Sequence, residues 1–215
     1  MQMHDITRPL RNDLAPWPGD TAFAFRLNWQ KAAGATVNVG AVTMGVHNGT
    51  HADAPFHFQP AGATIDTLAL APFVGPAVVM DLTQRWSANP AAPLDVSDLA
   101  PAAADLARAP RLLLKTNAWL DDAHFPARIP VLTPAAIAWL GAQGVLLLGV
   151  DVPSVDAIDS QTLPNHHALA AAGIAILESL DLRAVPAGVY ELLALPLKIV
   201  GGDAAPVRAV LREIG

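Results

Sequence analysis

Eleven residues, His47-Asn48-Gly49-Thr50-His51-Ala52-Asp53-Ala54-Pro55-Phe56-His57, constrain this chain more than any other stretch. They gather three of its seven histidines around one aspartate. His47, His51, Asp53 and His57 all fall at odd positions, so an extended backbone would turn the four toward one face. A helix would keep His47 and His51 together but swing Asp53 and His57 away. Gly49 and Pro55 interrupt any long regular element, which predicts a strand that bends into a turn. Neutral imidazoles beside a carboxylate are the donor set of a borderline divalent cation such as zinc. Taken singly, each histidine is more simply a turn cap or a core residue. Taken together, they read as a metal cluster.

The remaining composition narrows the chemistry. The chain has no cysteine, which removes disulfides, thiolate nucleophiles and cysteine-bound zinc and leaves His, Asp and Glu as the strong metal ligands. Its 215 residues fit one domain, 1–215, with enough material for a full core. With 53% hydrophobic and 15% charged residues the chain is expected to be ordered, and nineteen prolines and fifteen glycines imply many turns. A net charge of -6 with scattered Lys and Arg argues against nucleic acid. Met1-Gln2-Met3-His4-Asp5 shows no basic segment leading into an apolar core. The apolar run 68–80 is broken by Pro and Gly and is too short for a bilayer. The expectation is a cytoplasmic protein that meets a small molecule and neither membrane nor nucleic acid.

Along the chain, Asp5-Ile6-Thr7 predicts a short strand, and Pro16-Trp17-Pro18-Gly19-Asp20 a stiff turn. Trp17 either covers a core edge or forms a stacking wall for a flat substrate. Alternation over 23–27 and 37–44 predicts an antiparallel hairpin beneath the site, its second strand delivering His47. A turn and short helix follow at 65–68, then buried strands at 76–82 and 111–116. A helix is expected over 96–106, capped by Asp95 or Ser97. His124, alone in a loop, reads as a surface or capping residue. Thr133-Pro134 starts a helix that ends near 141–144, and 145–150 is the next strand. Strand, helix, strand implies a parallel layer, beyond whose carboxyl ends Asp151 and Ser154 would lie.

A second polar cluster stands at 165–178. Asn165-His166-His167 opens a short helix stopped by Gly173, and Ile174-Ala175-Ile176-Leu177-Glu178 is a strand ending on a carboxylate. A carboxylate at the end of an apolar strand is costly to bury alone. Its partner is either an arginine such as Arg183 or a metal shared with the first cluster. A single catalytic zinc takes three protein ligands and water, which His47, His51 and Asp53 supply if His57 is kept for proton transfer. Two ions would need bridging carboxylates and a further histidine. Chemistry alone does not separate His166 from His167.

The spacing His47-x-Gly49-Thr50-His51-x-Asp53-x-Pro55-x-His57 resembles the signature of the metal-dependent cyclase family, which includes kynurenine formamidases. Trp17-Pro18-Gly19-Asp20, Asp151-Val152-Pro153-Ser154-Val155-Asp156, Asp159-Ser160 and the stretches from Val185 and Asp203 onward are similar to the family as well, so the resemblance runs nearly the whole chain. It implies an α/β fold of the swivelling β/β/α cyclase-like type, a mixed and partly barrel-like sheet with peripheral helices. It implies two zinc ions, with manganese as the alternative. One would sit on His47, His51, Asp53 and Glu178, the other on Asp53, His166 and Glu178. It further implies that His57 is the catalytic proton carrier, that Trp17 contacts substrate, and that the chain is a homodimer. The implied reaction is hydrolysis of N-formyl-L-kynurenine to L-kynurenine and formate. Opening of a cyclic amide such as isatin is the alternative within the family. A metal or small-ligand carrier without turnover is the rival from another class. Gly201-Gly202-Asp203 is read as a flexible turn in one pocket wall.

Overall fold

A nine-stranded mixed sheet carries the site. The structure is a computed structural model and describes residues 2–214. In chain order the strands are β1 (Met3–Asp5), β2 (Ala24–Trp29), β3 (Val39–Thr43), β4 (His51–Asp53), β5 (Val74–Asp81), β6 (Arg111–Lys115), β7 (Leu147–Val150), β8 (Ala175–Glu178), β9 (Gly188–Leu193), β10 (Ala204–Pro206) and β11 (Val210–Glu213). The large sheet runs β1-β11-β9-β5-β6-β7-β8-β4-β10. Its centre, β5 to β8, is parallel, and both flanks are antiparallel. This is the expected parallel layer, extended on both sides.

The chain's own connectivity forces the sheet to curl. β10 ends at Pro206 and β11 begins at Val210, yet the two strands lie seven spacings apart in the strand order. Laid flat, those spacings would span roughly 34 Å at ~4.8 Å each. Four residues reach at most about 14 Å. The sheet therefore bends into a half-barrel, and a bridge between Thr7 and Leu180 joins regions from its two ends. The expected α/β fold with a partly closed sheet is what the chain adopts.

Alternation along the strands sorts the core into two layers. Ala77, Val79, Leu113, Leu147, Leu177, Leu192 and Leu211 fill the concave interior. Val78, Leu112, Leu114, Leu148, Val150 and Ile176 face outward, against the helices. A run such as Leu112-Leu113-Leu114 is apolar throughout because both sheet faces are covered.

The helices are α1 (Thr83–Ala88), α2 (Val96–Leu99), α3 (Ala103–Leu106), α4 (Pro134–Ala142) and α5 (Pro164–Ala171). In α4 the Thr133 hydroxyl accepts the Ala136 N–H at 3.1 Å, as its cap position predicts. The expected single helix over 96–106 is instead α2 and α3 separated by a tighter turn, Ala100–Ala102. Pro101 lacks the N–H that would continue the first helix. Asp95 is the cap, its own N–H bonded to Asp98 Oδ2 at 2.9 Å.

β2 and β3 do pair antiparallel, but as a separate two-stranded sheet. Every residue of β2 is exposed, so the hairpin stands off the surface rather than lying beneath the site. Phe25, Leu27, Trp29 and Val42 leave a large apolar area uncovered.

Candidate metal centre

β4 is only three residues long, yet it fixes the first half of the cluster. It pairs antiparallel with β8, setting His51 opposite Glu178. Ala52 and Ala54 point into the barrel core, so the strand period sends His51 and Asp53 to the other face. The odd-position pattern therefore acts through these two residues. His47 arrives from the preceding turn, and His57 from a short 3-10 helix, Pro55–His57. Gly49 sits in that turn at φ 68°, and a Cβ there would lie 2.7 Å from Leu10 Cδ2. The second half comes from the end of β8 and the first turn of α5. Both junctions hold a non-glycine residue in the left-handed region, Ser179 (φ 59°) after Glu178 and Leu163 (φ 46°) before α5. Such strain concentrates where a structure must aim functional side chains.

The side chains converge in a definite pattern. Asp53 Oδ1 faces His47 Nδ1 at 3.2 Å and His51 Nε2 at 3.4 Å. Its other oxygen, Oδ2, faces His166 Nε2 at 3.4 Å. Glu178 divides in the same way, Oε2 lying 3.3 Å from His51 Nε2 and Oε1 3.6 Å from His166 Nε2. Each carboxylate thus splits its oxygens between two sets of imidazole nitrogens. Arg183 is occupied by Asp181, so Glu178 meets histidines and not an arginine. His167 lies outside the cluster, packed against Phe58.

These contacts leave buried polar atoms unpaired. Among the described residues, His51 Nε2 and both Asp53 oxygens have no hydrogen-bond partner although each is sealed from solvent. Orphaned buried polar groups are costly, and a cation is what these three would satisfy. Neighbours outside the cluster aim the imidazoles inward. His51 Nδ1 donates to Gly49 O at 2.9 Å and His166 Nδ1 to Asp156 Oδ2 at 2.6 Å, turning both Nε2 atoms to the carboxylates. Asp156 is itself fixed by the N–H groups of Asn165 and His166.

Electrostatics reflect the same crowding. Burial opposes charge on His51, but Asp53 and Glu178 outweigh it and raise its pKa to about 10. His166 is raised to about 10 against the same burial by Asp156 and Asp53. Asp53 is pushed up by burial yet held well below the usual carboxylate range by His166, His47 and His51. His57 moves the other way, its pKa lowered chiefly by burial, so at neutral pH it is an uncharged imidazole.

Beside the cluster opens a cavity of about 400 Å³. Trp17, Trp119, Phe125, Pro153 and Leu163 form its apolar wall, and His47, His57, His166 and Glu178 its polar end. Trp17 and Phe125 meet edge to face at 5.0 Å. Beneath Trp119 the buried Arg8 guanidinium stacks 4.1 Å from the ring centre and bonds four acceptors, fixing that wall. A larger groove of about 640 Å³ passes Leu10, Leu195 and Leu197, but its charged pair Asp5–Arg208 is already matched.

All seven residues singled out from the sequence meet in or around this cavity. His124 merely bonds Asp121, as a capping residue would. Asp151 lies at the carboxyl end of β7 as expected, but it is consumed in bonds to Thr116 and Asn117. Asp156, Trp119 and Phe125 belong to the site although the sequence assigns them no role there, and Asp203 is read from it only as part of a turn in the pocket wall. The aromatic pair lay in a loop with no periodicity, and Asp156 was visible only as part of a matching loop.

An α/β half-barrel with a buried His/Asp/Glu cluster at the mouth of an aromatic cavity defines an α/β protein whose centre suits a divalent cation. The sequence model of the cyclase family matches residues 4–157. Kynurenine formamidase of Geobacillus thermodenitrificans is 44% identical over 98% of this chain and 97% of its own length. Among solved structures, a potential metal-dependent hydrolase with cyclase activity is 29% identical, covers 99% of both chains and superposes with a TM-score of 0.80. Isatin hydrolase A from Ralstonia solanacearum is 28% identical, with a TM-score of 0.84 over 99% of this chain and 92% of its own. The chain belongs to the cyclase family.

Proposed function

We propose that this chain is a metal-dependent amide hydrolase that converts N-formyl-L-kynurenine to L-kynurenine and formate, residues 1–215 acting as one domain. The division of Asp53 and Glu178 oxygens between two imidazole sets is the observation that carries the reading. It supports two cation positions, one on His47, His51, Asp53 and Glu178 and one on Asp53, His166 and Glu178. Three imidazole nitrogens favour zinc over the harder manganese, which is the second choice. When bound, such a cation polarises the formamide carbonyl and acidifies water toward neutrality.

The chain's own residues do the rest. Trp17, Trp119 and Phe125 stack the aniline ring and hold the formamide at the polar end of the cavity. His57, uncharged at neutral pH and at the cavity wall, takes a proton from the attacking water. It passes one to the departing aniline nitrogen as the C–N bond breaks. The low exposure of His51, Asp53, His166 and Glu178 keeps bulk water from competing with these contacts.

Among the described residues no helix is long and apolar enough to cross a membrane. A small polar metabolite as substrate fits a cytoplasmic enzyme. A second copy of the chain, covering the exposed Phe25, Leu27, Trp29 and Val42 face, fits a homodimer, because an isolated two-stranded hairpin has little stability of its own. The higher identity to a kynurenine formamidase than to an isatin hydrolase favours the formanilide over the cyclic amide. Parallel assays of zinc-loaded protein with N-formyl-L-kynurenine and isatin test the choice. The expected kcat/KM is larger for the formanilide. A preference for isatin would transfer the activity to the cyclic amide, and turnover of neither would leave only a metal carrier.

A further inference from the structure

Asp203 stands just before β10, the strand that flanks β4 across from the Glu178 strand β8. Its Oδ2 lies 2.9 Å from His47 Nε2 and 3.4 Å from His57 Nδ1, so one carboxylate oxygen meets two imidazoles at once. Those two rings pack 4.1 Å apart at their centres. His47 already turns Nδ1 to Asp53, which leaves only Nε2 to carry its proton outward, toward Asp203. His57 offers Nδ1 to the same oxygen and lines the cavity, which leaves Nε2 for whatever the cavity holds.

The backbone at Asp203 is anchored rather than loose. Its carbonyl accepts the Ala54 N–H at 2.9 Å, and the next residue, Ala204, is in register with Asp53 across the β4–β10 pair. Gly202 donates to Ile199 O and accepts from Ile65 N–H. A Cβ at Gly202 would come within 3.1 Å of both Ala204 O and Ile65 Cγ2, so a side chain there would press on the residues that hold Asp203 in place. The glycine pair forms the expected turn in the pocket wall, and that turn seats a carboxylate.

We propose that Asp203 is a positioning residue for the hydrolysis: it accepts the Nδ1–H of His57 and the Nε2–H of His47, fixing His57 as the tautomer whose Nε2 lone pair faces the substrate. The inference rests on the reading of His57 as the proton carrier. One oxygen shared by both rings also sets the spacing between that carrier and the ligand His47. A neutral imidazole has one proton to place, and the hydrogen bond made by one nitrogen decides the role of the other.

Asp203→Asn keeps the shape but puts an amide where the acceptor stood; Asp203→Glu keeps the acceptor. Imidazole nitrogens of 15N-histidine-labelled, zinc-loaded chain are observed by NMR, with His57 assigned from its loss in His57→Gln. Steady-state kinetics on N-formyl-L-kynurenine and elemental zinc analysis accompany the spectra. The proposal expects His57 as the Nδ1–H tautomer in the unaltered chain and a shift toward Nε2–H in Asp203→Asn. It expects kcat to fall roughly 10- to 100-fold at saturating zinc, the usual cost of losing such a partner, with KM within about threefold. It expects Asp203→Glu to recover part of kcat together with the tautomer. An unchanged tautomer in Asp203→Asn overturns the proposal, as does zinc lost in step with activity. If the unaltered chain fails to hydrolyse the substrate, the functional reading falls, and the tautomer result still decides the positioning role.

Discussion

Loading the metal-free chain with zinc at pH 7 should expel at least two protons per chain, one each from His51 and His166, with a share from His47, whose pKa Asp53 and Asp203 also raise against burial. The His51 and His166 imidazoles are buried among carboxylates and their pKa values rise to about 10, so both are charged at neutral pH when no cation is present. Each must surrender a proton before it can ligate. Two coupled protons alone make the overall binding constant rise at least about a hundredfold per pH unit, or about 2.7 kcal/mol at 1.36 kcal/mol per proton and unit. The same groups give the metal-free fold the opposite slope. A histidine whose folded pKa exceeds its unfolded value stabilises fully below ~6.5, and that contribution is lost as pH rises through the folded value of about 10. The melting temperature of metal-free protein should therefore fall from pH 6.5 upward, while the increment added by zinc grows. Calorimetric titration in buffers of different ionisation enthalpy counts the protons, and thermal melts follow the slopes. Proton release near zero, or metal-free protein that gains stability over that range, would refute the cluster electrostatics argued above.

His57→Ala should lower kcat by roughly 10²- to 10⁴-fold, the usual worth of a positioned acid–base group, with zinc content unchanged; zinc loss measured by elemental analysis would instead make His57 a ligand. Trp17→Ala should raise KM by up to roughly tenfold, from about 1.4 kcal/mol of lost stacking, with kcat little altered. A KM identical to that of the unaltered chain would remove Trp17 from the substrate wall. Trp29→Asp places a charge on the exposed hairpin and should convert a dimer to a monomer in sedimentation, without loss of zinc. A monomeric unaltered chain would contradict the homodimer.

What could be read from the sequence was whatever a local pattern encodes. His51 and Asp53 share a face because a two-residue period needs only a three-residue strand. Thr133-Pro134 announced α4 for the same local reason, while Pro101 divided a helix whose apolar spacing alone looked continuous. Asp203 was out of reach of such patterns. It stands 156 positions from His47, and only the β4–β10 pairing brings them together. The hairpin was legible as a hairpin from its alternation, but alternation does not say which sheet the strands will join. The choice of His166 over His167 rested on the family resemblance, and its physical reason is the first turn of α5 set against β8, since two adjacent residues on a helix face differently.

The measurement closest to the central claim is hydrolysis of N-formyl-L-kynurenine by chain stripped of metal, followed by stepwise return of zinc or manganese. The five residues His47, His51, Asp53, His166 and Glu178 predict that stripping abolishes turnover and that activity returns and saturates at two ions per chain. Stripped protein that hydrolyses the substrate at the full rate, with no metal detectable by elemental analysis, would contradict it.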